Sequence, residues 1–222
     1  MSIGDRMKEN YEFPFLYRLP MRLPVIIRVD GKNFHNFTRL MDRPFDKGFV
    51  AAMGELAQYL SHEIQGVELA YVQSDEISLL IHTYKTLKTQ APFNNEIQKL
   101  ASISAGMASA WMTDRYKKIA VFDSRVFVLP ETEVANYFIW RQLDATRNSV
   151  SMLAHSLYSH NELQNKNSAQ KQDMIMEKHK SWNHLPVHLK RGLCVKNGVI
   201  DYEIPIFTDN RDYIEETLQI IE

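Results

Sequence analysis

The order in which two hydrophobic periods alternate along this chain leaves few ways to fold it. An apolar, β-branched run, Val25-Ile26-Ile27-Arg28-Val29, reads as a buried strand. From Phe45 the period becomes helical, with Phe49, Met53, Leu56, Leu60 and Ile64 on one face until Gly66 stops it. Two strands follow, Leu69–Val72 and Ile77–Ile81, and the four polar residues Gln73-Ser74-Asp75-Glu76 between them read as a hairpin connection. A second helix spans about Asn94 to Tyr116 and is rich in Ala and Ser, small enough to pack closely on a sheet. Phe122–Val128 then alternates as a strand and ends at Pro130. Strand, helix, two hairpin strands, helix, strand is the ferredoxin-like βαββαβ order. It implies an α+β fold, an antiparallel sheet with both helices on one face.

The flanks are less regular. Asp5–Glu12 reads as a short helix ended by Pro14 and Pro20. Residues 131–180 are helical and increasingly polar, with Thr132 placed to cap the first helix and Ser168 the last. Val195-Lys196-Asn197-Gly198-Val199-Ile200 is a hairpin with the Asn-Gly turn signal. No linker divides the 222 residues. The expectation is one domain, with a palm-like core at about 21–130 and a helical and hairpin extension at about 131–222.

Composition narrows the function only slightly. With a net charge of −1, any surface for nucleic acid must be local and offset by acids elsewhere. The single Cys194 cannot form an internal disulfide and reads as a buried strand residue. The N-terminus lacks the apolar core of a signal peptide, and no run approaches membrane-span length. These features lead us to expect a soluble, cytoplasmic protein.

Chemistry concentrates where the strands end. The first strand runs into Asp30-Gly31, and the hairpin tip carries Asp75-Glu76, about 45 positions later. In a βαββαβ sheet the first and third strands are neighbours, so these acids meet at one edge, as in the palm of nucleotide polymerases and cyclases. Two carboxylates can hold a pair of Mg²⁺ ions about 3.5–4 Å apart, with the Gly31 carbonyl as an extra oxygen ligand. The amides of Lys32, Asn33, Phe34 and His35 can cradle phosphate oxygens.

Three segments, Arg28-Val29-Asp30-Gly31-Lys32-Asn33-Phe34-His35, Ala70–Glu76 and Trp140-Arg141-Gln142-Leu143-Asp144, resemble the tRNA-His guanylyltransferase superfamily. The resemblance runs from about Arg6 to Ile206. It implies nucleotide addition to the 5′ end of tRNA. Asp30, Asp75 and the Gly31 carbonyl would hold two Mg²⁺ ions, with Glu76 beside them as a third catalytic acid. Asp30 through His35, with Ser74, Asp75 and Lys99, would bind ATP, GTP or another nucleoside triphosphate. The chain also departs from the family. Members that guanylylate tRNA-His carry a His-x-Asn-Asn segment after Trp-Arg-Gln, where this chain has Asp144-Ala145-Thr146-Arg147-Asn148-Ser149. The arginines that precede the Lys99 position are Asn95 and Glu96 here. These differences are similar to the guanylyltransferase-like branch of bacteria and archaea, which repairs 5′-truncated tRNAs by template-dependent addition.

Other residues carry weaker expectations. Arg141, Arg147, Asn148, Lys166, Lys190 and Arg191 are candidate tRNA contacts on an otherwise modestly basic surface. So small a basic surface argues that tRNA spans several subunits, hence a homo-oligomer, expected as a tetramer built from two dimers. Met107, Trp111, Tyr137 and Trp140 read as core or subunit interface rather than as platforms for bases. The histidines lack zinc spacing. Two other functions use the same features: a nucleotidyl cyclase, which would need no RNA, and a noncatalytic RNA-binding module, which would have no use for clustered acids.

Overall fold

The computed structural model of the protein describes residues 1–86 and 88–220. Helices α1 (Ile3–Met7), α2 (Phe34–Phe37), α3 (Lys47–Glu63), α4 (Ile97–Tyr116) and α5 (Glu131–His155) are followed by α6 (His160–Leu163), α7 (Ser168–Glu177), α8 (Val187–Arg191) and α9 (Asp212–Glu215). The strands are β1 (Val25–Gly31), β2 (Val67–Gln73), β3 (Glu76–Ile81), β4 (Phe122–Val128), β5 (Leu193–Lys196) and β6 (Val199–Asp201). Among the described residues they form one antiparallel sheet in the order β4-β1-β3-β2-β5-β6. Its first four positions are the expected βαββαβ arrangement.

Alternation along β1 sorts its side chains to two faces. Val25, Ile27 and Val29 meet Phe49, Met53, Leu56 and Leu60 of α3 and Leu100, Ala108 and Met112 of α4. The small residues of α4 do allow close approach: Ser104 is buried and donates to Ser124 Oγ of β4 at 2.8 Å. Ile26 points the other way, into a second core with Tyr71, Phe138 of α5, Ile204 and Phe207. The extension is therefore a second layer over the sheet, so both faces are covered. Gln142 of α5 fastens this layer, donating to Pro205 O at 2.9 Å and accepting from Phe207 N at 2.8 Å.

The terminal hairpin is part of the same sheet, because β5 pairs with β2 from Leu69↔Lys196 to Val72↔Leu193. Its Asn197-Gly198 turn has φ of 52° and 74°, the left-handed pair that such two-residue hairpins require. Gly192 leads into β5 with φ 85°, and a Cβ there would sit 2.3 Å from Val72 O. Cys194 is fully buried in β5, as expected.

Several boundaries differ from the sequence reading. Pro130, not Thr132, precedes α5 and no side chain caps it, while Asn167 rather than Ser168 caps α7 in a capping box with Gln170. α4 starts at Ile97 rather than Asn94, because Phe93, Asn94 and Asn95 are all left-handed, with φ of 48°, 51° and 57°. Backbone bonds Leu19 N→Asn95 O and Ile97 N→Tyr17 O hold that turn against the N-terminal segment. The expected helix over residues 5–12 is split into α1 and a wider-wound turn, Lys8–Glu12.

One buried group makes stability depend on pH. His82 is 1% exposed and, among the described residues, neither ring nitrogen has a well-formed hydrogen-bond partner. Burial pushes its imidazole below the ordinary value of 6.5, so the folded chain disfavours the proton that the unfolded chain accepts. Stability that is complete above the unfolded value is lost as pH falls through it towards the folded one. We expect the urea midpoint of the parent chain to drop between pH 7.5 and pH 5.5 and that of His82→Phe to drop less. Equal slopes would assign the acid sensitivity to other groups.

Candidate active site

Three elements converge at the C-terminal end of β1. Asp30 lies in register opposite Glu76 of β3 and Asp123 of β4. The β2–β3 hairpin is tighter than expected: its strands run through Gln73 and Glu76, leaving Ser74-Asp75 as the loop. Ser74 takes φ 50° at that tip. Gly31 N donates to Asp75 O at 3.1 Å, which ties the tip to the end of β1. A Cβ on Gly31 would lie 2.8 Å from Asp75 Oδ2 and 2.5 Å from the Phe34 ring. Glycine is therefore required for Asp75 to reach over the strand end.

The two aspartates face each other electrostatically. Burial, then the nearby Asp123, raises Asp30 above the ordinary carboxylate value. Burial also raises Asp75, and the charge of Asp30 adds to the rise. Like charges half-buried together favour a bound cation, although Arg125 and Arg28 partly offset the rise at Asp30. The donors here are carboxylate and carbonyl oxygens, and among the described residues no group of three His, Cys, Asp or Glu side chains is placed to hold a metal. This set suits a hard ion such as Mg²⁺, which keeps several waters and takes phosphate oxygens as ligands, and does not suit zinc.

Glu76 is held differently. Arg141 of α5 grips it with Nε and a terminal nitrogen, both at 2.8 Å, and Gln73 Nε2 donates to it at 3.1 Å. The two side chains are 8% and 12% exposed. Arg141 also pairs with Asp144 at 3.1 Å, and Asp144 pairs with Arg147 at 2.9 Å. Arg141, considered for tRNA from sequence, is thus turned inward, and Gln73 and Asp144 join a charge network that the strand and helix patterns did not reveal.

Beyond Phe34, Lys118 Nζ donates to the Phe37 carbonyl at 2.7 Å, holding the end of α2. Phe34 is 3% exposed and packs on Phe37 and Phe122 with ring centroids 4.8 and 4.7 Å away. Its ring anchors the loop, which leaves only its backbone available for contacts outside the core. Asn33 takes φ 60°, which turns the chain sharply into α2. The Lys32 amide is already used, donating to Val121 O at 2.8 Å. The amides of Asn33, Phe34 and His35 have no backbone acceptor among the described residues.

A cavity of about 670 Å³ opens beside the acids, lined by Asp30, His35, Ser74, Asp75, Glu76 and Asn148 among others. Phe49, Val50, Met53, Val72 and Leu193 give it an apolar wall. Sequence reasoning missed the loop Asp42–Asp46, which forms one side and has no motif to mark it. Lys99 lies outside, on the first turn of α4, 3.5 Å from Glu96. Lys166 is exposed between α6 and α7, and Arg147 is exposed on α5. Lys190 donates to Asn183 O at 3.0 Å, and the Arg191 carbonyl accepts from Tyr71 at 2.7 Å. None of these five cations lines the cavity. Among the described residues, no helix is long and apolar enough to cross a membrane.

Comparison with known proteins agrees with this geometry. The model of a family described as tRNAHis guanylyltransferase matches residues 4–130. A bacterial tRNA(His) guanylyltransferase-like protein solved in complex with ATP superposes with TM-score 0.94 at 47% identity, covering 98% of this chain and 99% of that one. Another such bacterial structure, in complex with GTP, gives TM-score 0.88 at 43% identity, covering 98% and 99%. A probable tRNA(His) guanylyltransferase of Drosophila melanogaster is 31% identical over 57% of this chain and 46% of its own length. The match thus spans about half of that relative.

Proposed function

Because the chain belongs to the tRNAHis guanylyltransferase family, whose members are nucleotidyltransferases, we propose that it extends the 5′ end of tRNA in the 3′-to-5′ direction. The observation that carries the proposal is the half-buried pair Asp30 and Asp75 at the mouth of a nucleotide-sized cavity. The ATP- and GTP-bound bacterial structures, similar over 98% of the chain, support nucleotides as its substrates.

In this reading ATP first adenylylates a 5′-monophosphate end, releasing pyrophosphate. The 3′-hydroxyl of an incoming nucleotide then attacks that phosphate, and AMP leaves. Asp30, Asp75 and the Gly31 carbonyl would hold two Mg²⁺ ions, which supply charge neutralisation and activation of the attacking hydroxyl. The amides of Asn33, Phe34 and His35 point donors at the phosphates, and the apolar wall accepts the base. Glu76, locked to Arg141, fixes the start of β3 beside the hairpin loop that carries Asp75. Asp144–Ser149 stands where the tRNA-His enzymes carry His-x-Asn-Asn, which favours template-directed repair over G addition specific to tRNA-His. Pairing with the opposite strand would then choose the nucleotide, so no side chain needs to read it. Lys166, Lys190 and Arg191 lie away from the cavity, and in this proposal they meet tRNA held across an assembly of several copies.

The test uses 5′-labelled tRNA lacking its first nucleotide, with Mg²⁺, ATP and all four nucleotides. We expect extension that restores the paired end and follows the opposing base. Preferred addition of G opposite adenine on tRNA-His would instead assign the chain to tRNA-His maturation. Failure on every such substrate would sink the polymerase reading, and cyclic nucleotide made without RNA would replace it.

A further inference from the structure

The cavity reaches Asp30 from the hairpin side, but the other side of Asp30 is open as well. Along β1 and β4 the cross-strand pairs Arg28↔Arg125 and Asp30↔Asp123 are neighbours on the face that α5 only partly covers. Arg125 and Asp123 are 59% and 53% exposed, 3.9 Å apart. Arg28 makes no ion pair among the described residues.

Trp140 stands over this strip. Its ring lies 5.8 Å from the Arg28 guanidinium carbon and 4.5 Å from that of Arg141, with Tyr137 edge-on at 5.9 Å. It was expected to be core or subunit interface; it is not core, being 49% exposed, while Tyr137 is 7% exposed. Arg141 is itself fixed by Glu76 and Asp144, so the indole rests against a locked cation while about half of its surface stays exposed. None of Arg28, Asp123, Arg125 and Trp140 lines the cavity.

We propose that the strip formed by Arg28, Arg125 and Trp140 docks the 5′-terminal nucleotide of the acceptor RNA. The terminal base would stack on the indole, and its phosphate would sit between the two guanidinium groups. This rests on the polymerase reading above, in which two reactants must meet at one pair of acids. The cavity accommodates the incoming nucleotide, so the RNA end must approach Asp30 from elsewhere, and the open strip is the approach that offers an exposed indole and two guanidinium groups, Arg28 without an ion pair among the described residues and Arg125 in a long, exposed pair with Asp123. A stacking ring accepts any base, as a repair substrate with a variable end requires. Two arginines complement a phosphate in charge and geometry. The indole and guanidinium groups are already in place, so little ordering opposes docking.

Tryptophan fluorescence tests the placement before any chemistry occurs. A 5′-phosphorylated, 5′-truncated tRNA without added nucleotide should quench the parent protein, and the Trp140→Phe variant should lack that share of the quench. In steady state, Trp140→Ala should raise KM for the RNA roughly tenfold and leave KM for the nucleotide unchanged, with Trp140→Phe restoring most of the loss. Arg125→Gln, on an exposed edge strand, keeps the test alive if Trp140→Ala unfolds. It should raise KM for the RNA and lower the salt slope of RNA binding by about one. Equal quenching by ATP or GTP alone, or a rise in nucleotide KM instead, would make the strip a mononucleotide site and overturn the inference. A lower solution mass with both KM values unchanged would make it an interface between copies and overturn it too. A parent that extends no RNA removes the proposed function. A parent and a Trp140→Ala variant that extend RNA equally well remove only this inference.

Discussion

Asp75→Ala is expected to lower the rate of nucleotide addition by about 10³-fold, at the upper end of the loss seen when one electrostatic stabiliser is removed from an active site. The chain should nevertheless fold, because among the described residues the Asp75 side chain makes no ion pair and only a local hydrogen bond with its neighbour Ser74. Stability should move the opposite way from activity. Burial opposes the charge of Asp75, and the neighbouring charge of Asp30 opposes it further. Asp75→Asn removes that repulsion while keeping the shape, so its Tm in metal-free buffer should rise above that of the parent. Asp30→Asn should behave alike, since burial and Asp123 both oppose its charge. A variant that keeps near-parent activity would remove Asp75 from the reacting centre. A lower Tm would show that the pair stabilises the fold rather than straining it.

Arg141→Met should destabilise the protein by about 3–5 kcal/mol, the usual cost of leaving one member of a buried ion pair without its partner. Both side chains are nearly inaccessible, and the pairing is bidentate, so water cannot replace the guanidinium at Glu76. The double variant Arg141→Met/Glu76→Leu should recover most of that stability, because no buried charge is left behind. It should not recover activity, since the hairpin that carries Asp75 has lost its fixed support on α5. Urea denaturation of the parent, the single variant and the double variant reads the effect. A single-variant loss below about 1 kcal/mol, the range of an exposed pair, would refute a buried lock.

What could be read in advance follows from distance along the chain. The period of α3, the alternation of β1 to β4 and the Asn197-Gly198 turn are local, and all survive in the structure. The meeting of Asp30 and Asp75 was legible because the βαββαβ order makes β1 and β3 neighbours. The pairing of β5 with β2 was not, since those strands are far apart in sequence and nothing in either strand names its partner. The grip of Arg141 on Glu76 was hidden for the same reason: a helix pattern shows which face is apolar, not which strand end a cation reaches. Trp140 was read as core or interface, and the core half fails because the sheet face beneath it is only partly covered. Phe93, Asn94 and Asn95 carry no glycine to signal three left-handed residues in succession.

The position of β5 also gives the protein a direction in time. A ribosome releases Asp30 and Asp75 long before Arg141 and Leu193–Lys196. A nascent chain that stops after β4 holds both acids, but β2 is then an open sheet edge and Glu76 has no partner. Such a fragment exposes Leu69 and Tyr71, and its unpaired edge invites aggregation. Completion of the sheet beside the acids thus waits on the final hairpin.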